Sequence, residues 1–208
     1  MSNKTTKTCP RCKSRPIGST SSGKDLDYCK QCQSERTTEK HQAFKAECVK
    51  HKGGKCTKCG YSHYQGALCL PVREDLRKSK TYIKMGSLAG RLPLTDKVKS
   101  ELAQRELLCM NCYRASLSNK DNSVKASLCS AKGNTCSICN KVYRPIAMDF
   151  HHVDGTGAPS KTLTIGSRTA KRDLPALTQE VSKCVLVCAN CHCEHHEEER
   201  AAKKEKTN

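Results

Sequence analysis

Six Cys-x-x-Cys pairs punctuate this 208-residue chain, at Cys9/Cys12, Cys29/Cys32, Cys56/Cys59, Cys109/Cys112, Cys136/Cys139 and Cys188/Cys191. Each pair sets two thiolates on one short turn at the separation a tetrahedral metal requires, so two pairs close one zinc site. The remaining composition makes such staples necessary. Aromatic residues are 4% of the chain, Trp is absent and mean hydropathy is -0.70, which leaves no large apolar core to assemble. The expected fold is a set of small α+β zinc-stabilised modules holding about three structural Zn2+ ions. The cysteine count is odd, at 17, and no apolar leader follows Met1. Both features argue against a disulfide framework and for a soluble, intracellular, reduced protein. No apolar run approaches the roughly 20 residues that cross a bilayer, so no membrane partner is expected.

The chain carries 38 basic and 20 acidic residues, a net charge of +18 with histidines neutral. Three four-thiolate zinc sites would lower this to about +12. Such an excess gives electrostatic affinity for nucleic acid. With two Phe and six Tyr there is little stacking surface for single strands, so double-stranded DNA is the expected partner.

Four segments can be read along the chain. Residues 1–40 form an N-terminal zinc ribbon or knuckle, in which Cys9, Cys12, Cys29 and Cys32 clamp a loop rich in Ser, Gly and Lys. Residues 34–45 have helical composition. Residues 41–120 and 121–200 repeat one another, and 201–208 is a charged tail. A shift of 80 sets Cys56 and Cys59 on Cys136 and Cys139, and residues 83–87 on 163–167. A shift of 79 sets Leu107-Leu108-Cys109-Met110-Asn111-Cys112 on Leu186-Val187-Cys188-Ala189-Asn190-Cys191. Agreement at both knuckles and between them marks a duplication. In the second copy the knuckle turns at Asn140 (Gly60 in the first), and residues 142–150 are β-prone. A loop follows with Gly155, Gly157 and Pro159. Residues 173–183 have the helical spacing Leu174, Leu177, Val181, with Asp173 as cap and Pro175 in the first turn. Residues 194–206 read as a charged helix.

The second copy also carries histidines: Asp149-Phe150-His151-His152 after the first knuckle, then His192 and His196 after the second. Once four cysteines close a zinc site, these side chains are free for other work. His192 and His196 are four apart and so share one helix face. Phosphodiester hydrolysis needs a base for water and a cation against the phosphate, and adjacent His151 and His152 can divide those roles. Cys-x-x-Cys, Asp-Phe-His-His, Leu-Val-Cys-Ala-Asn-Cys-His and the final His, in that order over residues 125–197, resemble the HNH endonucleases, most closely the zinc-knuckle type common in bacteriophages. Similar phage proteins also carry an amino-terminal pair of Cys-x-x-Cys pairs.

The resemblance implies tandem ββα-metal units, each a β-hairpin bearing the first histidines packed on a helix bearing the last. It further implies a metal-dependent DNA endonuclease, in the host cytoplasm if phage-encoded, that leaves a 3′-hydroxyl and a 5′-phosphate. His152 takes the general-base position. His151, His192 and His196 take the positions that bind the catalytic ion, Mg2+ or another divalent metal. Asp149 coordinates or orients a histidine. The family's middle Asn falls where this chain has Lys183, which leaves Asn190 as the nearest candidate for that catalytic position, or else as a residue of the knuckle alone. His195 reads as an exposed neighbour.

The first copy keeps Cys56, Cys59, Cys109 and Cys112 but has Pro71 and Val72 for the His pair, Cys69 for Asp149, Tyr113 for His192 and Leu117 for His196. It reads as a degenerate, binding or scaffold copy with a basic grip for phosphates in Arg73, Arg77, Lys78, Lys80, Lys84 and Arg91. A homodimer on DNA, or a protein partner held through this copy, also fits. Cys48, Cys69, Cys129, Cys184 and Cys193 are expected to pack in cores. The reading from another class is a non-catalytic zinc-finger protein that binds nucleic acid or regulates transcription.

Overall fold

A chain this poor in aromatic residues forms short strands and leans on helices and sulfur for its packing. The computed structural model describes residues 7–19, 22, 24–79, 82–88, 92–117, 123–153 and 174–205. The loop with Gly155, Gly157 and Pro159, the cap Asp173, residues 163–167, and Lys80 and Arg91 lie outside them. The elements are α1 (Lys30–His51), β1 (Leu68–Cys69), α2 (Glu74–Ser79), α3 (Met85–Leu88), α4 (Asp96–Ala103), β2 (Leu108–Cys109), α5 (Met110–Ser116), α6 (Ser123–Ala131), β3 (Met148–His152), α7 (Leu174–Ser182), β4 (Cys184–Cys188) and α8 (Ala189–Glu205). Among the described residues, no helix is long and apolar enough to cross a membrane.

The two units share one plan. In the first, β1 pairs antiparallel with β2, Leu68 opposite Cys109. In the second, β3 pairs with β4, Met148 opposite Cys188 and His152 opposite Cys184. The bridge Val72↔Arg105 is the first unit's version of that last pair. Each first knuckle closes in the same way: Gly60 N–H reaches Cys56 O and Asn140 N–H reaches Cys136 O, both at 2.9 Å. The turn residue is in the left-handed region in each, at φ +75° for Gly60 and +55° for Asn140. Gly and Asn tolerate that region at little cost. The cores correspond as well. Val49, Leu68, Leu107 and Leu108 pack together in the first unit, and Cys129, Met148, Leu186 and Val187 in the second. A satellite core of Phe44, Cys48, Val98 and Leu102 matches one of Val124, Leu128, Leu177 and Val181.

Some elements differ in extent from their sequence pattern. The strand starts at Met148, because Pro145 lacks an N–H for a ladder and opens a 3-10 turn over Pro145–Ala147. Helix α1 runs unbroken through residue 40, so the N-terminal knuckle and the first unit share a helix. Helix α8 starts at Ala189 instead of residue 194, with the knuckle residue Cys188 immediately before it. Of the cysteines outside the knuckles, Cys48, Cys129 and Cys184 are buried, whereas Cys69 and Cys193 are half-buried.

The units join by a reciprocal contact. Asn111 N–H donates to Asn190 Oδ1 at 3.0 Å, and Asn190 N–H donates to Asn111 Oδ1 at 3.1 Å. Each amide belongs to the first turn of its helix, α5 or α8, where no intrahelical acceptor exists. Each Asn thus satisfies the helix start of the other unit. Around this pair α5 packs on the turn at Pro145–Ala147, and α8 on the matching turn at Gln65–Ala67.

Candidate metal centres

Three groups of four cysteines have all their sulfurs within 4.8 Å of one another: Cys9, Cys12, Cys29 and Cys32; Cys56, Cys59, Cys109 and Cys112; Cys136, Cys139, Cys188 and Cys191. Sulfurs at about 2.3 Å from a tetrahedral zinc stand about 3.8 Å apart. Cys12 and Cys29 are 3.9 Å apart, and Cys59 and Cys109 3.7 Å. The sulfur sets therefore fit structural zinc. Their surroundings already favour thiolate at one or more sulfurs in each group. Hydrogen bonds from the Ser14 backbone and hydroxyl bring Cys12 to about 6. Burial raises the Cys136 thiol, but backbone N–H groups of Cys139, Cys188 and Ile138 outweigh it and bring it to about 7. Cys56 reaches about 7 by the same balance.

The second unit gathers histidines beside its sulfur group. Helix α8 presents His192, His195, His196 and Glu199 at the i, i+3, i+4, i+7 spacing of one face. Strand β3 brings His151 over that face. The nearest nitrogens of His151, His192 and His196 all lie within 4.8 Å of one another. Their ring centroids stand 5.3 Å apart for His151 with either partner, and 4.5 Å for His192 with His196. One divalent ion can bridge that spacing. The donors are three imidazoles, a set suited to borderline ions such as zinc more than to Mg2+, which prefers oxygen. Burial, then the neighbouring histidines, lowers the His151 pKa, which favours the neutral ring with one nitrogen lone pair available.

His195 is not a bystander. Its ring stands edge-on to His151 at 4.6 Å, and with Glu199 it forms a further group around His151. Glu199 reaches His196 Nδ1 at 3.0 Å, and this bond holds its carboxyl below the usual range. The four-residue repeat of donors along α8 was the sequence signal for both residues.

Successive side chains of a strand point to opposite faces, so His152 does not join the cluster. It turns to α7, where its Nε2 lies 2.7 Å from Glu180 Oε1. Glu180 is 2% exposed, and its bonds to His152 and Lys183 depress its pKa despite burial. An acid on the apolar stripe of Leu177 and Val181 was the signal that could have identified it. Its counterpart Glu101 is also buried, but there it accepts from the Ile83 amide at 3.1 Å and faces Arg105.

Asp149 accepts from His192 Nδ1 at 2.9 Å and from Arg114 Nη1 at 2.6 Å. Burial raises its pKa, yet these two bonds prevail and hold it at about 2. It touches one member of the three-histidine group and is not itself among the three. Arg114, which carries no signal in the sequence, belongs to α5 of the first unit. A cleft of about 260 Å³ opens here, lined by Arg114, Lys125, Asp149, Phe150 and His192.

Asn190, the nearest candidate for the family's middle Asn or else a residue of the knuckle alone, makes a hydrogen-bonded contact between the units. It is 5% exposed and its side chain is engaged with Asn111 between the units, away from the histidines. In the first unit, Cys69, Leu70, Pro71 and Tyr113 line an apolar cavity of about 460 Å³ at the corresponding place. Of the expected basic grip, Arg73 is paired with Asp75 at 3.2 Å, and Arg77 and Lys84 stand near it in sequence on α2 and before α3. No family model, curated protein or solved structure matches the chain.

Proposed function

We propose that the chain is a metal-dependent DNA endonuclease of the HNH type, built as an N-terminal zinc knuckle and two tandem ββα units, of which only the second cuts. One observation carries this reading. His151, His192 and His196 converge on one centre in a unit whose four knuckle cysteines are already grouped elsewhere. A purely structural zinc module has no use for that second set of donors.

In this reading the three histidines hold a divalent ion, which would supply positive charge against the phosphate and the leaving oxygen. His152 is the general base. With Nε2–H donated to Glu180, its Nδ1 keeps a lone pair that can take the proton of the attacking water. Glu180 fixes that tautomer and stabilises the charged ring once the proton has arrived. Asp149 does the same for His192, leaving Nε2 for the ion. Basic charge on the first unit and the N-terminal knuckle binds the backbone of duplex DNA, and the cleft beside Arg114 and Lys125 suits a phosphate.

The test is incubation of the zinc-loaded protein with supercoiled plasmid and Mn2+, Co2+ or Mg2+, with EDTA as control. The expected result is nicked circles that require an added ion. His152→Ala should lose at least about 100-fold in cutting, the usual scale of a general base, while keeping its zinc and its DNA affinity. A protein that shifts the plasmid on a gel yet leaves it supercoiled with every ion would be a zinc-stabilised binding protein instead.

A further inference from the structure

The first unit has none of the histidines, yet one of its side chains reaches those of the second. Arg114 on α5 donates to Asp149 Oδ1 at 2.6 Å, and the other oxygen of that carboxylate meets His192 Nδ1 at 2.9 Å. Both the Arg114 and Asp149 side chains are largely shielded, at 27% and 20% exposed. From this chain of contacts we infer that Arg114 is a positioning residue for the ion centre, so that the degenerate unit completes the site of its neighbour.

The physical reason is orientational. A carboxylate on β3 has freedom to rotate, and a charge-assisted bond at one oxygen fixes the direction of the other. The fixed oxygen selects the Nδ1–H tautomer of His192 and aims Nε2 at His151 and His196. Partners of this kind are commonly worth 10- to 100-fold in metal affinity. Helix α5 is itself held in place by Asn111 on Asn190 and by Arg144, whose Nη1 donates to Ala115 O at 2.9 Å. The guanidinium therefore sits on a rigid support and not on a loose surface helix.

The role of Arg114 rests on reading the histidine cluster as an ion site, and the experiment separates the two. The protein is first loaded with three equivalents of zinc, one for each thiolate group, which thiolates take ahead of imidazoles, and is then titrated with Mn2+ by calorimetry. Mn2+ does not compete for four-thiolate sites. Wild type should bind one Mn2+. Arg114→Gln should bind it about 10-fold more weakly at unchanged zinc content and unfolding temperature, and Arg114→Lys should recover part of the loss. Asp149→Asn should lose at least as much. The control Arg144→Ala, which loosens the same interface without touching Asp149, should bind Mn2+ as wild type does. Equal affinity in Arg114→Gln, or an equal loss in Arg144→Ala, overturns the assignment of Arg114 while leaving the ion site intact. A wild-type chain that takes up no Mn2+ overturns the ion site and the role of Arg114 with it.

Discussion

Truncating the two interface asparagines, singly and together, tests how the units are joined. Asn190→Ala removes the acceptor of the Asn111 amide at 3.0 Å. That amide is buried at the start of α5, and an orphaned buried donor costs about 1–3 kcal/mol. Asn111→Ala removes the acceptor of the Asn190 amide at 3.1 Å and also the Nδ2–H bond to Cys188 Sγ at 3.3 Å. With Cys188 as a zinc thiolate, that bond adds about 1.5–3 kcal/mol, for a loss of about 2.5–6 kcal/mol in all. Each bond joins a side chain to a backbone amide, so neither substitution removes the bond that the other breaks. Both bonds nevertheless belong to one contact, so the double variant should depart from the sum, with a coupling of about 0.5–3 kcal/mol. The assay is urea unfolding of zinc-saturated protein, followed by the release of zinc and by circular dichroism. A coupling below about 0.5 kcal/mol would mean that the two residues act independently, and the reciprocal contact would be refuted. Single losses below about 0.5 kcal/mol would refute the burial of the pair.

Metal analysis of protein purified without chelator should find three zincs per chain, one for each group of four cysteines; two or fewer would show that one group does not close. Acid unfolding should report Asp149. Its folded pKa of about 2 lies below the ordinary 3.8, so its contribution is complete above pH 3.8 and fades as the pH falls towards 2. Its ceiling is about 2 kcal/mol. Comparing the urea midpoints of wild type and Asp149→Asn between pH 5 and 2.5, the gap should shrink as the pH drops; a constant gap would show that Asp149 is not held ionised by its partners.

The sulfur sites were legible because each ligand pair is local: two residues between cysteines fix their separation whatever the rest of the chain does. The duplication then paired the pairs within the two repeated units. The His192/His196 match was legible for a similar reason, since helical spacing alone puts them on one face. The same spacing carries His195 and Glu199, at i+3 and i+7 from His192, onto that face. Arg114 was not legible, and of Glu180 only its place on the apolar stripe of α7 was. Arg114 meets Asp149 only because two units pack together, and no periodicity in either unit encodes that packing. Glu180 meets His152 because a strand turns alternate residues to opposite faces and α7 happens to cover the second face. The partner of Asn190 was not legible either, because its side chain answers to a helix in the other unit.

The asparagine exchange has the form of a twofold contact in which residue i meets j and j meets i, closed within a single polypeptide. In a symmetric dimer every substitution occurs on both sides of the axis. Fusion removes that constraint, so one half can lose its histidines and keep an arginine that serves the other. The same fusion uses up the face through which two identical units would pair. Under the proposed function, one such body carries one cutting centre and opens one strand at a time. A cut through both strands would need a second molecule, docked through a surface other than the one that α5 and α8 occupy with each other.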